Sequence, residues 1–405
     1  MSYFGTSSRN EKEKNVKSNN KFIFTVLMVG VTALALPAFA DDAKSVSLNS
    51  DDVKRTLGVS LYIQAGYTYN MNTPATQENG LRVFDHKADS FTLDLAQLVF
   101  QKEPARDGSG YKIKISAGET AKWIHSRGLS GIPLSASTPT SPTPAQAGEG
   151  TDAFDVTEAF MSYVAPIGKG LRFDLGKIAT YHGAEVIEAK DNPNYSRSFL
   201  FNYAVPFTHT GLKISYPFSD ALSASLHVVN GWDNSTDNNK SKTIGLSIGF
   251  TPSEMVSAYL NYMQGPEQDN VNGNSRSLVD VVATIKPSRT LAIILNADSC
   301  AEKGIAANGG DAKWSGAAGI VKYDFSDKYS LSLRAESFDD KDGVRTGTAQ
   351  KLTEVTVTPE IRLNGGLIVR PEYRHDSSDK EVFPANAAEV KKTQDTIALG
   401  VMYAW

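Results

Sequence analysis

The chain has 405 residues, a formal net charge of −4 and a single cysteine, Cys300. The acidic balance argues against a nucleic-acid partner, and one cysteine excludes an intramolecular disulfide. Beyond the N-terminal forty residues, no apolar stretch reaches the roughly 18 residues that a membrane-spanning helix needs. This leaves a soluble protein or a membrane β-barrel, because a barrel whose strands alternate apolar and polar residues has a similar overall hydropathy.

The N-terminus has the pattern of an export signal. An uncharged, mostly apolar run, residues 22–36, follows a basic region and is followed by Ala38-Phe39-Ala40, which offers small residues for cleavage. We therefore predict that residues 1–40 are a signal peptide cleaved after Ala40; an uncleaved N-terminal anchor is the alternative. Cleavage would remove five basic and two acidic side chains and take the net charge from −4 to about −7.

From Gly58 onward, apolar and polar residues alternate with a period of two in about 16 segments. In one of them, Ile244, Leu246, Ile248 and Phe250 share a face opposite Thr243, Gly245, Ser247 and Gly249. Such alternation predicts half-apolar β-strands, the first of them at Val59–Asn70. In the second strand the parity shifts near Leu95–Ala96, which suggests a bulge.

The connections between these segments alternate between short and long. Short turns such as Pro217–Asp220 are rich in Pro, Gly, Ser or Asp, and longer polar segments such as Gly231–Ser241 separate them. Short turns on one side and long loops on the other are typical of outer-membrane barrels. We predict an all-β fold: a closed antiparallel transmembrane β-barrel of about 16 strands over residues 58–405, preceded by a short periplasmic segment, residues 41–57.

The last strand, Thr393–Trp405, places Ile397, Leu399, Val401, Tyr403 and Trp405 on one face. An aromatic at the chain end fits a position at the membrane interface. The segment resembles the C-terminal strand of bacterial outer-membrane barrels, in which a terminal aromatic is part of the assembly signal. The resemblance implies that Tyr403 and Trp405 contribute this signal and that the barrel assembly machinery is a partner.

A charged side chain that faces lipid at mid-depth costs about 2–4 kcal/mol for Arg or Lys, so charged strand residues are expected to face the lumen. By parity along the strands, the lumen-facing candidates are Lys112, Lys114, Arg172, Asp174, Lys213, Arg334, Glu336, Arg370, Glu372 and Arg374.

Two long segments interrupt the rhythm of the loops, and both carry charge. Porin selectivity depends on charged side chains at a constriction, often on a loop folded inward. Residues 184–207 are the preferred constriction segment, with Glu185, Glu188 and Arg197 as candidates. Residues 120–153 are the second choice, with Lys122 and Arg127. The alternative for both segments is a solvated external loop.

A family resemblance is dense between about residues 154 and 216. It is carried by Ala159–Leu171, which reads AFMSYVAPIGKGL, by Leu175-Gly176-Lys177 and His182-Gly183-Ala184-Glu185, and by the segments NYSRSFLF from Asn194 and PFTHTG from Pro206. These residues resemble the OmpL-like outer-membrane β-barrel porins. The resemblance implies a pore-forming barrel in the outer membrane of a Gram-negative bacterium, without naming a solute.

We therefore expect a porin through which small hydrophilic solutes or ions diffuse passively. A non-conducting structural or adhesion barrel is the alternative. No catalytic, metal or cofactor motif is evident; His182 and Ser196 are the one pair that could meet as in barrel lipases. The expected partners are outer-membrane lipid, lipopolysaccharide and the solutes, and both a monomer and a trimer remain open.

Overall fold

The computed structural model describes residues 58–129, 153–386 and 389–405. The predicted signal peptide and periplasmic segment lie outside the described residues. Sixteen antiparallel strands form one closed barrel, as the alternation predicted. A further pair of two-residue strands lies in the last long loop.

The strands, in chain order, are β1 Val59–Asn70, β2 Phe91–Lys102, β3 Gly108–Ala117, β4 Phe154–Ala165, β5 Leu171–Ala179, β6 Thr208–Pro217, β7 Leu222–Val229, β8 Thr243–Ser253, β9 Val256–Pro266, β10 Ser275–Ile285, β11 Leu291–Glu302, β12 Ala312–Asp324, β13 Tyr329–Asp340, β14 Gln350–Arg362, β15 Leu367–Ser378, β16 Phe383–Pro384, β17 Val390–Lys391 and β18 Thr393–Ala404.

Each barrel strand pairs with its neighbours in sequence, and β18 closes the barrel against β1. At the closure, Gly66 lies opposite Gly400, and Tyr67 lies opposite Leu399. Trp405 exchanges two backbone hydrogen bonds of 2.9 Å with Leu61. Closure leaves no open sheet edge, which lipid would penalise because it cannot satisfy backbone N–H and C=O groups.

The described loops alternate between short and long around the barrel. Residues 103–107, 166–170 and 218–221 are short turns at one end, and residues 71–90, 180–207 and 230–242 are longer loops at the other. The first residues of β1 and the last residues of β18 lie on the side of the short turns, so the two chain ends of the barrel meet there. We call these ends the short-turn end and the long-loop end.

Helical structure is limited to short segments within the long loops. Helix α1 spans Glu119–Trp123, a 3-10 turn spans Ala189–Asp191, and a π-helical turn spans Leu200–Ala204. No helix in the described ranges is long and apolar enough to cross a membrane.

The outer wall is apolar wherever the strands alternate cleanly. On β8, Ile244, Leu246 and Ile248 are exposed, while the alternate residues Thr243, Gly245 and Gly249 are buried. Exposed aromatic residues ring the short-turn end, as in the girdles that flank the lipid-facing band of outer-membrane barrels; they include Phe218, Phe250, Phe325 and Tyr329.

The predicted bulge in β2 is present. Gln64 of β1 lies opposite Leu95 and Ala65 lies opposite Leu93, so Asp94 is the extra residue. The bulge therefore lies one residue before the predicted Leu95–Ala96 position. It turns both Asp94 and Leu95 into the barrel interior, where they are 2% and 0% exposed.

A pair of adjacent substitutions tests which wall faces lipid. Ile248→Arg should lower the free energy of unfolding by about 2–4 kcal/mol, because Ile248 faces outward near the middle of β8. The matched control, Ser247→Arg, faces the lumen and should change stability much less. Urea unfolding in lipid vesicles measures both; equal losses would contradict the assigned faces.

Candidate functional site

Residues 180–207, here called the lumen loop, connect β5 to β6 and fold into the barrel. Ile187, Ala189, Asn194 and Ser196 are each at most 4% exposed, although they belong to a connection and not to a strand. A buried loop has backbone N–H and C=O groups that need partners. Inner-wall side chains of β13 and β15 supply several of them.

Two wall carboxylates accept hydrogen bonds from loop amides. Glu372 on β15 accepts from the Tyr195 N–H at 2.8 Å and the Ser196 N–H at 3.0 Å. Glu336 on β13 accepts from the N–H groups of Phe199 and Leu200, the latter at 3.1 Å. Hydrogen bonds with a charged acceptor are about twice as strong as neutral ones, so these two carboxylates fix the course of residues 195–200.

Three wall arginines donate hydrogen bonds to loop carbonyl groups. Arg334 donates to the Ser196 carbonyl at 2.7 Å, Arg374 to the Arg197 carbonyl at 2.6 Å, and Arg370 to the Ala189 carbonyl at 2.6 Å. Each arginine also has a carboxylate partner on the wall, at 2.5–2.6 Å: Arg334 with Glu354, Arg370 with Glu360, and Arg374 with Asp376.

Glu185 and Glu188 lie in the lumen loop and reach opposite parts of the wall. Glu185 forms an ion pair of 2.9 Å with Arg334 and accepts the Ser198 N–H at 2.8 Å. Glu188 lies 2.8 Å from the Lys114 ammonium of β3. Burial acts to raise the pKa of Glu188, but Lys114 and the Gln97 amide outweigh it and hold the pKa below its ordinary value. The two carboxylates therefore fasten the loop at both sides.

Arg197, 1% exposed, points into the lumen loop itself. Its guanidinium donates to the carbonyl groups of Val186, Ile187 and Tyr195 and lies 4.7 Å from the centre of the Phe84 ring. Burial lowers the pKa of this guanidinium below its ordinary value. Arg197 thus links residues 186–187 of the lumen loop to residue 195 through hydrogen bonds to their carbonyl groups.

The other two constriction candidates have ion-pair partners outside the lumen loop. Lys122 in α1 pairs with Glu119 at 2.7 Å, one turn away on the same helix. Arg127 forms two hydrogen bonds of 2.9 Å with Asp269 in the connection between β9 and β10. Residues 130–152 of the same predicted segment lie outside the described ranges.

Tyr195 of the lumen loop occupies a slot formed by two glycines. Gly66 and Gly400 face each other across β1 and β18. A Cβ atom at Gly66 would lie 2.1 Å from the Tyr195 hydroxyl oxygen, and one at Gly400 would lie 2.3 Å from the ring. The hydroxyl donates to the bulge residue Asp94 at 2.6 Å. Only glycine at both positions lets the ring lie directly on the sheet.

Tyr181 anchors the start of the loop in a similar way on the opposite wall. Its ring stacks on His227 of β7 at 3.8 Å between centres, and a Cβ atom at Gly245 would lie 1.8 Å from its hydroxyl oxygen. The next residue, His182, lies 3.7 Å from Asp280 of β10. Burial lowers the pKa of His182, and Asp280 opposes this shift.

The long-loop half of the lumen contains an apolar cluster. Phe201 and Phe207 of the lumen loop pack against Phe84 of the first long loop, at 5.5 Å between ring centres in each case. The cluster continues to wall residues near the long-loop ends of their strands; these include Met263, Leu278, Trp314, Phe338 and Leu352. This half of the barrel is packed like the core of a soluble protein.

The short-turn half holds a cavity of about 690 Å³. Tyr181, Gly183 and Ala184 cover it, and the inner faces of β5 to β10 form its wall. Arg172 and Lys213 line it. Asp174 lies beside Arg172 at 2.8 Å, and Lys112 pairs with Glu158 of β4 at 2.8 Å. This cavity therefore lies on one side of the lumen, at its short-turn end.

His182 and Ser196 have separate partners. The Ser196 hydroxyl accepts a hydrogen bond from Arg334 at 3.0 Å, while His182 lies beside Asp280. Among the described residues, no three His, Cys, Asp or Glu side chains are grouped so as to hold a metal ion. The His182 and Ser196 side chains therefore both take part in holding the lumen loop against the barrel wall.

A closed barrel with an inward-folded connection and a polar inner wall defines the class of porin-like outer-membrane barrels. The match to a family model agrees with this class. Residues 56–405 match the family described as "Putative beta-barrel porin-2, OmpL-like", and the chain belongs to this family. Comparison with curated protein sequences gave no match.

Solved structures with the same fold include several porins. An anion-selective porin from Comamonas acidovorans matches with a TM-score of 0.57 at 10% identity, over 86% of this chain and 98% of the other. OprB from Pseudomonas putida matches with a TM-score of 0.57 at 10% identity, over 88% and 96%. The outer-membrane channel DcaP of Acinetobacter baumannii matches with a TM-score of 0.54 at 11% identity, over 86% and 96%. At these identities the likeness shows the fold.

Filling the tyrosine slot should release the lumen loop. Gly400→Ala places a methyl group against Tyr195. It should break the hydrogen bonds that the backbone N–H groups of Tyr195 and Ser196 donate to Glu372. Each such bond contributes about 1.5–3 kcal/mol, so amide hydrogen exchange at these positions should accelerate roughly 10- to 100-fold.

Gly319→Ala is the matched control, because a Cβ atom there meets only Leu295, at 3.7 Å. Hydrogen–deuterium exchange with mass spectrometry on the folded protein measures both variants. Unchanged exchange over residues 195–200 in Gly400→Ala would show that the slot does not hold the loop.

Proposed function

We propose that the protein is an outer-membrane porin that gives small hydrophilic solutes or ions a passive route through its lumen. The observation that carries this proposal is the cavity of about 690 Å³ between the lumen loop and the wall of β5 to β10, with Arg172, Lys213 and several serines in its lining. The lumen loop acts as the constriction, with Glu185 and Glu188 fastening it and Arg197 holding its shape. Diffusion of this kind needs no catalytic group and no cofactor.

The wall residues have three roles in this proposal. Arg334, Glu336, Arg370, Glu372 and Arg374 bind the backbone of the lumen loop and hold it in place. Arg172, Asp174 and Lys213 lie at the cavity or beside it and give the solute path its charge. Lys112 and Lys114 pair with Glu158 on the adjacent wall, and Lys114 also holds Glu188 of the lumen loop. Lys122 and Arg127 organise the long-loop end.

The proposal includes a route to the membrane. Residues 1–40 direct export and are cleaved, residues 41–57 form a periplasmic lead, and residues 58–405 form the barrel. Tyr403 and Trp405 serve as the signal for the barrel assembly machinery, and lipid and lipopolysaccharide surround the finished wall. Support comes from the terminal strand, whose outward face carries Leu399 and Ile397, both exposed.

One observation favours the alternative of a non-conducting structural or adhesion barrel. The lumen loop and the apolar cluster pack the long-loop half without an evident channel among the described residues. Such a barrel would present its long loops to partners outside the cell. A porin would conduct ions across a bilayer, and a structural or adhesion barrel would not.

Planar-bilayer recording of the folded mature chain, residues 41–405, should show stepwise conductance. Glu372→Leu removes the acceptor of two loop amides and should raise the conductance or make it fluctuate, because residues 195 and 196 lose an anchor of about 3–6 kcal/mol in total. Glu254→Leu, in the exposed turn after β8, is the control and should behave like the parent. Sustained absence of steps in folded parent protein would favour the non-conducting barrel.

A further inference from the structure

The wall of the lumen cavity is charged with one sign only. Two cationic side chains, Arg172 and Lys213, line the cavity, and no aspartate or glutamate is among its lining residues. This contrasts with the whole chain, in which 45 acidic residues outnumber 41 lysines and arginines. A cavity with cationic walls and little bulk water attracts anions more strongly than exposed charges would.

Lys213 has the less compensated charge of the two. Arg172 is paired with Asp174 at 2.8 Å and with Glu103 at 3.0 Å. Lys213 lies on β6 directly opposite Asp174, but that carboxylate receives hydrogen bonds from Arg172 and from Ser162, the latter at 2.6 Å. Within the part of the chain that the structure describes, Lys213 forms no ion pair and no hydrogen bond. Its ammonium group is therefore available to an anion.

Neutral polar groups in the same cavity are also available. Ser223 and Ser247 line the cavity, and their hydroxyl groups have no hydrogen-bond partner among the described residues. Each hydroxyl can donate a hydrogen bond to a ligand hydroxyl or accept one from it. Ser225 adds a third hydroxyl group, which bonds to His227 at 2.9 Å. A polar group that loses water without gaining a partner is costly, so a hydroxylated ligand would satisfy groups that an apolar one would leave unpaired.

We propose that this cavity is a subsite for small hydroxylated carboxylates, with Lys213 binding the carboxylate and Ser223 and Ser247 binding hydroxyl groups. Its volume lies within the usual range of small-molecule sites. The inference rests on the proposed function in one respect, since it names the class of solute that the pore favours. Binding itself does not require conduction, and the two can be measured separately.

The test uses three probes of similar size that differ in charge: gluconate, glucose and N-methylglucamine. Calorimetric titration of the folded mature chain in detergent at low ionic strength should show binding of gluconate and much weaker binding of the neutral and cationic probes. Lys213→Gln should weaken gluconate binding about tenfold, the loss expected for one hydrogen bond between charged groups. Lys213→Arg keeps the charge and should retain most of the affinity.

Lys112→Gln is the matched control on the inner wall. Lys112 is paired with Glu158 and does not line the cavity, so its removal changes the net charge by the same amount without touching the subsite. Retained gluconate binding in Lys112→Gln together with its loss in Lys213→Gln supports the subsite. Equal losses in both would show a general field effect and overturn it, as would equal affinity for gluconate and glucose in the parent.

Bilayer recording in parallel separates the two proposals. Conductance without preferential gluconate binding would overturn the subsite and leave the porin function standing. Gluconate binding that depends on Lys213 without any conductance would overturn passive permeation and leave the subsite standing. Resistance of the folded barrel to denaturation by detergent at room temperature, followed on gels, shows that each variant has folded before it is tested.

Discussion

The structure depends on how the backbone of a loop is satisfied inside a barrel. The strands use their own N–H and C=O groups to pair with one another, so a connection that enters the lumen must find its partners in side chains. Glu372 and Glu336 each accept from two consecutive loop N–H groups, four in all, and Arg334, Arg370 and Arg374 donate to loop carbonyls. Because these donors and acceptors come from β13 and β15, this part of the lumen loop lies against that wall, and the cavity lies along the opposite one.

The alternation of side chains was enough to predict the barrel. A strand with lipid outside and a polar lumen inside must alternate apolar and polar side chains. Ile248 and Ser247 could therefore be assigned to opposite faces without coordinates. The same rule located the β2 bulge to within one residue, because a bulge is a break in parity. The break itself is ambiguous by one position: Asp94 and Leu95 are both buried, and only the pairing with Gln64 and Ala65 identifies Asp94 as the extra residue.

The lumen loop was harder to interpret from its residues. Its charge made residues 184–207 the preferred constriction segment, but a charged side chain does not reveal whether its partner is solvent, a counter-ion or a carbonyl group. Arg197 binds carbonyls of its own loop, and Arg127 binds Asp269 in a distant connection. The glycine slot was visible only as Gly400 on the inner face of the last strand. Its meaning needs Gly66 across the closing pair and Tyr195 from the loop, which are far apart in sequence.

The division of the lumen bears on how a solute could move through it. Several wall contacts of the lumen loop are linked to one another, since Arg334 binds both Glu185 and Ser196, and Ser196 also binds Glu372. Moving one part of the loop would leave buried charges without partners elsewhere, which costs several kcal/mol per ion. These contacts therefore hold the loop in one position. A permeating solute would follow the side of β5 to β10, where serine hydroxyls and Lys213 replace the water it gives up, and the packed half of the lumen would set the width of that path.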